Sequence, residues 1–241
     1  MTIASRIESI RLTLPPCTRL IAVSKQVSSD YIRQAYRAGV RDFAESKLQE
    51  AISKQQELKD LPDISWHFIG HLQANKARKV LESFDLIHSL DSLKLAQRLD
   101  RLASELEINP QVLLQVKVVP DPDKFGWDKA ELLADIADLV NCQQLKIQGL
   151  MTILPQGLSA REKLAAFEKT SDLAQIIENS SSLRLPHLSM GMSDDYPLAV
   201  KAGATLIRVG TGIFGERIYW TISVNLQKKL LGILIIGDNI S

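Results

Sequence analysis

Residues 34–46, QAYRAGVRDFAES, contain the reading that decides the fold. Apolar positions at helical spacing end at Ala38-Gly39, where glycine supplies the left-handed residue that a helix end wants. A short strand pattern follows at once and closes on the polar pair Glu45-Ser46. Residues 198–211, LAVKAGATLIRVGT, repeat the same helix–glycine–strand module, with Ala202-Gly203 at the joint and Arg208 within the strand.

Working outward from these two copies, short β-branched runs alternate with longer helical periodicity. Candidate strands are Leu20–Ser24, Val40–Ala44, Ser65–Ile69, Leu86–Leu90, Val112–Val118, Lys146–Thr152, Leu185–Ser189 and Leu206–Val209. Helical stretches include an opening segment over Ile3–Leu12, then Tyr31–Ala38, Leu93–Leu106, Leu132–Val140 and Leu164–Ile177. Ser46 with Gln49 reads as a capping box for the helix after the second strand. Strict alternation implies a parallel sheet, and eight units imply a closed (β/α)8 barrel of TIM type. An open doubly wound sheet shares the alternation, but it would carry a glycine-rich turn after its first strand. This chain has Ser24-Lys25-Gln26 there.

Composition narrows the function classes. Of 241 residues, 45% are hydrophobic and 24% charged, enough for a full core. The 29 basic and 28 acidic residues give a net charge of +1, and no basic block suggests nucleic acid. Cys17 and Cys142 lie far apart and match no metal or redox spacing, which fits a reducing compartment. The first 14 residues carry Arg6, Glu8 and Arg11 among apolar positions, so they do not read as a signal peptide. The apolar run Leu230–Ile236 is too short to span a bilayer. The expectation is a cytoplasmic monomer, a barrel over residues 1–217 with a tail over 218–241. Nothing in the tail's sequence assigns it a role.

In such a barrel the chemistry sits at the C-terminal ends of the strands. The polar residues there are Lys25, Glu45, Ser46, His71, Asp91, Lys124, Met151-Thr152, Ser189, Arg208, Gly210 and Thr211. Lys25 closes the strand LIAVSK; a partly desolvated lysine has a lowered pKa, and its neutral amine attacks carbonyls. An edge lysine reaching solvent is the simpler alternative for Lys25 alone. The segment IRVGTGIFGER places Gly210, Gly212 and Gly215 after the last strand, where barrels commonly bind phosphate. An ordinary glycine turn competes with that reading, and a structural ion pair competes for Arg208. Taken together, a lysine, a phosphate cradle and a permanent cation on one rim match the anchors of pyridoxal 5′-phosphate, PLP. The histidines argue against a metal: His67 and His71 are four apart across a strand and turn, and His88 and His187 stand alone in apolar runs.

The phrases IAVSK, WHFIGHLQANK, GLMTI, LSMGMSDDY and IRVGTGIFGER occur in the order found in the YggS/PROSC family of PLP homeostasis proteins, and the chain resembles that family from Leu20 to Arg217. The resemblance implies a barrel similar to the N-terminal domain of alanine racemase and PLP as the cofactor. It implies Lys25 as the Schiff-base lysine, Arg208 facing the pyridine nitrogen, and Ser189, Gly210 and Thr211 near the phosphate. Met151 and Ser46 would also lie at the cofactor, although the family reads FGEN where this chain has Phe43-Ala44-Glu45-Ser46.

Three functions follow from these residues. The first is a PLP carrier or regulator in vitamin B6 and amino/keto-acid homeostasis. It would have little catalysis of its own and would serve PLP-dependent apo-enzymes or a regulatory protein. The second is a PLP-dependent amino-acid racemase, for which a second acid/base would have to come from Tyr196 or His71. The third is a cofactor-free Schiff-base aldolase, against which Arg208 stands, because no ring nitrogen would meet it. No nucleic-acid or membrane partner is expected.

Overall fold

The computed structural model describes residues 1–216. Its eight strands are all parallel and close in sequence order, the last pairing with the first. They are β1 (Arg19–Val23), β2 (Asp42–Glu45), β3 (Ser65–Phe68), β4 (Leu86–Leu90), β5 (Gln111–Gln115), β6 (Lys146–Met151), β7 (His187–Ser189) and β8 (Leu206–Val209). An opening helix α1 (Ile3–Arg11) precedes them. The crossovers carry α2 (Ser29–Arg37), α3 (Leu48–Glu57), α4 (Ala77–Ser83), α5 (Leu93–Glu105), α6 (Lys129–Val140), α7 (Ala160–Ser180) and α8 (Tyr196–Lys201). After β8 comes a one-turn helix, α9 (Thr211–Phe214). The expected tail over 218–241, with its apolar run Leu230–Ile236, lies outside the described residues, as does Arg217. No helix among the described residues is long and apolar enough to cross a membrane.

The two glycine joints behave as the sequence demands. Gly39 and Gly203 have φ of +86° and +93°, left-handed values that cost glycine little. Both β2 and β7 begin later than the pattern suggests, for local reasons. The Val40 amide still donates to Ala35 O at the helix end, so β2 starts at Asp42. Pro186 has no amide to give a ladder, so β7 starts at His187 rather than Leu185. β5 stops at Gln115, and Val116 instead bridges to Trp127. The expected capping box at Ser46 does not form. Lys47 is the N-cap of α3 and makes no side-chain cap, so Gln49 falls one position short. True boxes open α6 and α7, at Asp128/Glu131 and Ser159/Glu162.

Strand alternation divides the core in two. One set, including Ile32, Phe43, Phe68, Leu99, Leu114 and Ile207, packs between sheet and helices. The other, Ile21, Val23, Ala44, Leu86, Leu113, Met151 and Leu206, fills the barrel itself. Burying one such side chain is worth about 1.5–3 kcal/mol. Arg208 follows Leu206 by two residues, His88 follows Leu86, and Asp42 precedes Ala44, so the inward parity brings these polar groups inside the barrel.

Candidate functional site

Lys25 lies two residues past Val23 on the inward parity of β1, half-buried at the barrel mouth. Its neighbours on both sides are held by a buried charge cluster. Lys54, on α3, donates from Nζ to Ser24 O at 2.7 Å, to Glu45 Oε1 at 2.7 Å and to Glu50 Oε1 at 2.6 Å. Ser24 Oγ also donates to Glu45 Oε1 at 2.7 Å. Gln26 takes a left-handed φ of 61°, a conformation costing about 1–2 kcal/mol. The carboxylate of Glu50 accepts from its amide and holds it there. Glu45 is fully buried, and its Oε2 has no partner among the described residues. Burial pushes its carboxyl up, against the lowering by the Lys54 ammonium and the Ser24 hydroxyl. A cleft of about 440 Å³ behind this cluster is lined by Gln26, Ser28, Glu50 and Glu57 among others. Its two carboxylates make it a poor place for a phosphate.

Arg208 stands inside the barrel, 3% exposed. Its Nη1 donates to Ser189 Oγ at 2.6 Å and its Nη2 to Thr152 O at 2.8 Å. No salt bridge among the described residues includes it. Burial brings its pKa down to about 10, so the guanidinium stays charged at neutral pH. The structural ion pair that competed for this residue in the sequence is therefore absent among the described residues.

Gly210 sits against the end of β1: a Cβ there would lie 3.4 Å from Val23 O, in ordinary contact. The glycine loop and the Lys25 segment are thus neighbours. At Gly212 a Cβ would come within 2.8 Å of Val209 Cγ1, so any side chain there would displace that valine. The Gly212 amide donates to Ser193 Oγ at 3.2 Å, and Thr211 is exposed beside it. The serine at this loop is Ser193. Ser189, expected near the phosphate, has its hydroxyl committed inside the barrel to Arg208 and to His88 Nδ1, 2.8 Å away.

The other rim residues scatter. Met151 is buried in the barrel interior, in register with Ser189. Thr152 donates its hydroxyl to Val116 O at 2.9 Å. Ser46 is half-buried, and its carbonyl approaches Gly70 so closely that a Cβ there would be 2.1 Å away. Lys124 pairs with Asp121 at 2.9 Å. His71 is bonded through Nδ1 to Asp91 at 2.9 Å and stacks on Phe125. The Tyr196 hydroxyl is 3.3 Å from Thr13 Oγ1.

His88 is not the isolated apolar-run histidine that the sequence suggested. Its Nε2 lies 2.9 Å from His67 Nδ1, and His67 Nε2 lies 3.0 Å from Asp42 Oδ1. Burial drives His88 well below the ordinary histidine value, so it is neutral. The period-two spacing of Leu86 and His88 carried this information. Inside a barrel, a position facing the axis is interior whether it is apolar or polar. Ser193, Glu50 and Lys54 had no comparable signal, because each acts through a neighbour distant in sequence.

Comparison with known proteins bears on the family and the fold. The family model for the alanine racemase N-terminal domain matches residues 1–218. A pyridoxal phosphate homeostasis protein of Synechocystis sp. is 54% identical over 206 residues, covering 86% of this chain and 94% of its own. The protein of that name from Aquifex aeolicus is 37% identical over 203 residues, covering 84% and 89%. Among solved structures, PipY of Synechococcus elongatus PCC7942 with PLP bound superposes at a TM-score of 0.86 and 53% identity, covering 89% of this chain and all of its own. Alanine racemase of Clostridium difficile 630 gives 0.73 at 13% identity, covering 89% of this chain and 56% of its own, a likeness of fold alone. The chain belongs to the alanine racemase N-terminal domain family, among the pyridoxal phosphate homeostasis proteins.

Proposed function

We propose that this chain binds PLP in the mouth of its barrel and serves PLP and amino/keto-acid homeostasis as a carrier with little turnover of its own. The observation that carries the reading is Arg208. A buried guanidinium has five donors, of which two are used by described residues; no carboxylate among the described residues is bonded to it, and Asp195 acts on it only through its field. A neutral acceptor with a lone pair in the barrel mouth suits that environment, and the PLP ring nitrogen is one. Lys25 supplies the amine that links to the aldehyde. Gly210 and Thr211, with Ser193 beside them, receive the phosphate, and Ser189 acts from behind Arg208. Met151 and Ser46 line the remainder. When bound, PLP supplies an electron-accepting ring conjugated to that link.

The same residue disfavours transamination and most decarboxylation and leaves only racemase-like chemistry open. A guanidinium that stays charged repels a proton from the ring nitrogen and leaves the ring a weak electron acceptor. All of these groups come from one chain, so the reading takes a monomer as sufficient. A carrier that loads apo-enzymes works where they are made, which places it in the cytoplasm.

One observation favours the racemase alternative. His71 is held by a carboxylate at the barrel mouth, as an orienting partner holds a catalytic imidazole. The deciding experiment is to incubate PLP-loaded protein with each common amino acid in deuterated water and follow the α-proton by NMR. The carrier reading expects little exchange. Exchange at ordinary enzymatic rates, abolished by Lys25→Ala, would replace it with the racemase.

A further inference from the structure

A continuous line of hydrogen bonds crosses the barrel from its floor to Arg208. It begins at Arg19 and Asp42, the first residues of β1 and β2, which form an ion pair. It continues through His67 on β3, His88 on β4 and Ser189 at the end of β7. His67, His88, Ser189 and Arg208 are all buried. Ser65 Oγ stands 3.3 Å from His67 Nε2 as a side contact.

The direction of every proton in this line follows from its Arg208 end. Arg208 can only donate, so Ser189 Oγ accepts from it. The hydroxyl proton of Ser189 then needs an acceptor. Among the described residues, the other group bonded to that oxygen is His88 Nδ1. His88 Nδ1 is therefore bare, and its proton sits on Nε2 and points to His67 Nδ1. That nitrogen is bare in turn, and His67 donates from Nε2 to the Asp42 carboxylate, which only accepts. Both imidazoles are neutral Nε2–H tautomers. The opposite arrangement would leave the buried Ser189 proton without an acceptor, a costly state.

We infer that His88 is a positioning residue for Arg208: a one-way hydrogen-bond chain from Asp42 and His67 at the barrel floor sets its tautomer, and its Nδ1 turns the Ser189 oxygen toward the guanidinium. His88 is the link that matters most, because its Nδ1 takes the Ser189 proton. The chain itself is a property of the unliganded protein; its effect on ligand binding rests on the reading of Arg208 as the group facing the PLP ring.

Two measurements test it. The first is two-bond ¹⁵N–¹H NMR of histidine-labelled, PLP-free protein at neutral pH. Both His67 and His88 should give Nε2–H patterns, and an Nδ1–H or doubly protonated His88 would overturn the chain. The second uses two amides of different reach. His88→Asn places an acceptor oxygen where Nδ1 stood and keeps the Ser189 contact. His88→Gln reaches the Nε2 position and keeps only the contact to His67. Absorbance titration should show PLP binding roughly tenfold weaker in the Gln variant, the loss of about one buried hydrogen bond, and within about threefold of the parent in the Asn variant. A packing role would damage the smaller Asn at least as much, so equal losses, or a greater loss in Asn, would overturn the positioning role. A parent protein that shows both tautomers as expected yet binds no PLP would refute the proposed function and leave the chain standing.

Discussion

Replacing Lys54 with methionine should cost more than any surface charge in this protein. The ammonium makes three hydrogen bonds of 2.6–2.7 Å, to Ser24 O, Glu45 Oε1 and Glu50 Oε1. Glu45 is fully buried and already carries one unpartnered oxygen. Without Lys54 its side chain would keep, among the described residues, only the Ser24 hydroxyl. Breaking a buried pair from one side costs roughly 3–5 kcal/mol. At about 2–4 °C per kcal/mol for a domain of this size, the melting temperature should fall by roughly 6–20 °C. Removing both charges with Glu45→Gln/Lys54→Met should recover much of that loss, because the stranded charge is gone. The sign with pH is fixed as well. Burial raises the Glu45 pKa in the folded state, and removing Lys54 raises it further. A carboxyl with a raised folded pKa contributes its stability below the unfolded value, about 4.3, and loses it as pH rises through the folded value. The deficit of Lys54→Met should therefore shrink from pH 8 to pH 5. Thermal melts of both variants at the two pH values measure all of this. A drop under about 2 °C, or a double variant no more stable than the single, would refute the cluster's role.

Three other outcomes are expected. His88 is buried neutral, so unfolded chains below the ordinary histidine pKa of about 6.5 bind a proton that the fold refuses. Stability should fall between pH 6.5 and 5 by up to about 1.4 kcal/mol per unit from this group. Urea midpoints for His88→Asn should lack that part of the slope, and an unchanged slope would contradict the assignment. A Cβ on Gly149 would lie 1.8 Å from the backbone oxygen of His187, which cannot swing away, so Gly149→Ala should lose about 1–3 kcal/mol or more. At Gly157 nothing among the described residues lies within 4 Å, and Ala there should cost only about 1–2 kcal/mol for its φ of +84°; equal losses in chemical denaturation would show that contact is not the cause. Thr211→Asp should weaken PLP far more than pyridoxal in parallel titrations, since only PLP presents a phosphate to the new carboxylate. Equal weakening of both ligands would indicate a general folding defect and sink the assignment.

The barrel was legible because two things repeat locally: the period-two strand and the glycine joint, seen at Gly39 and again at Gly203. The element ends were less so, since β7 depends on Pro186 and β2 on a helix-end bond at Val40. In the candidate site, Lys25, Arg208 and Gly210 stood out because each ends or follows a strand, and parity or close contact then brings them to one mouth. Ser189 was legible as a strand-end hydroxyl, but its partner was not. The choice between the phosphate loop and Arg208 depends on His88, 101 residues away in sequence. Nothing in the sequence marks Lys54, which is buried by the packing of α3 on β2 and bonded to Ser24 O and Glu45.

The measurement that bears most directly on the account is the visible spectrum of the protein loaded with PLP, before and after borohydride, followed by mass mapping of the modified peptide. The account predicts a yellow protein whose colour borohydride discharges, with the pyridoxyl group fixed on Lys25, and a Lys25→Ala variant that folds but holds no chromophore. A pyridoxyl group fixed on Lys124 or any other lysine, or full colour retained in Lys25→Ala, would contradict it.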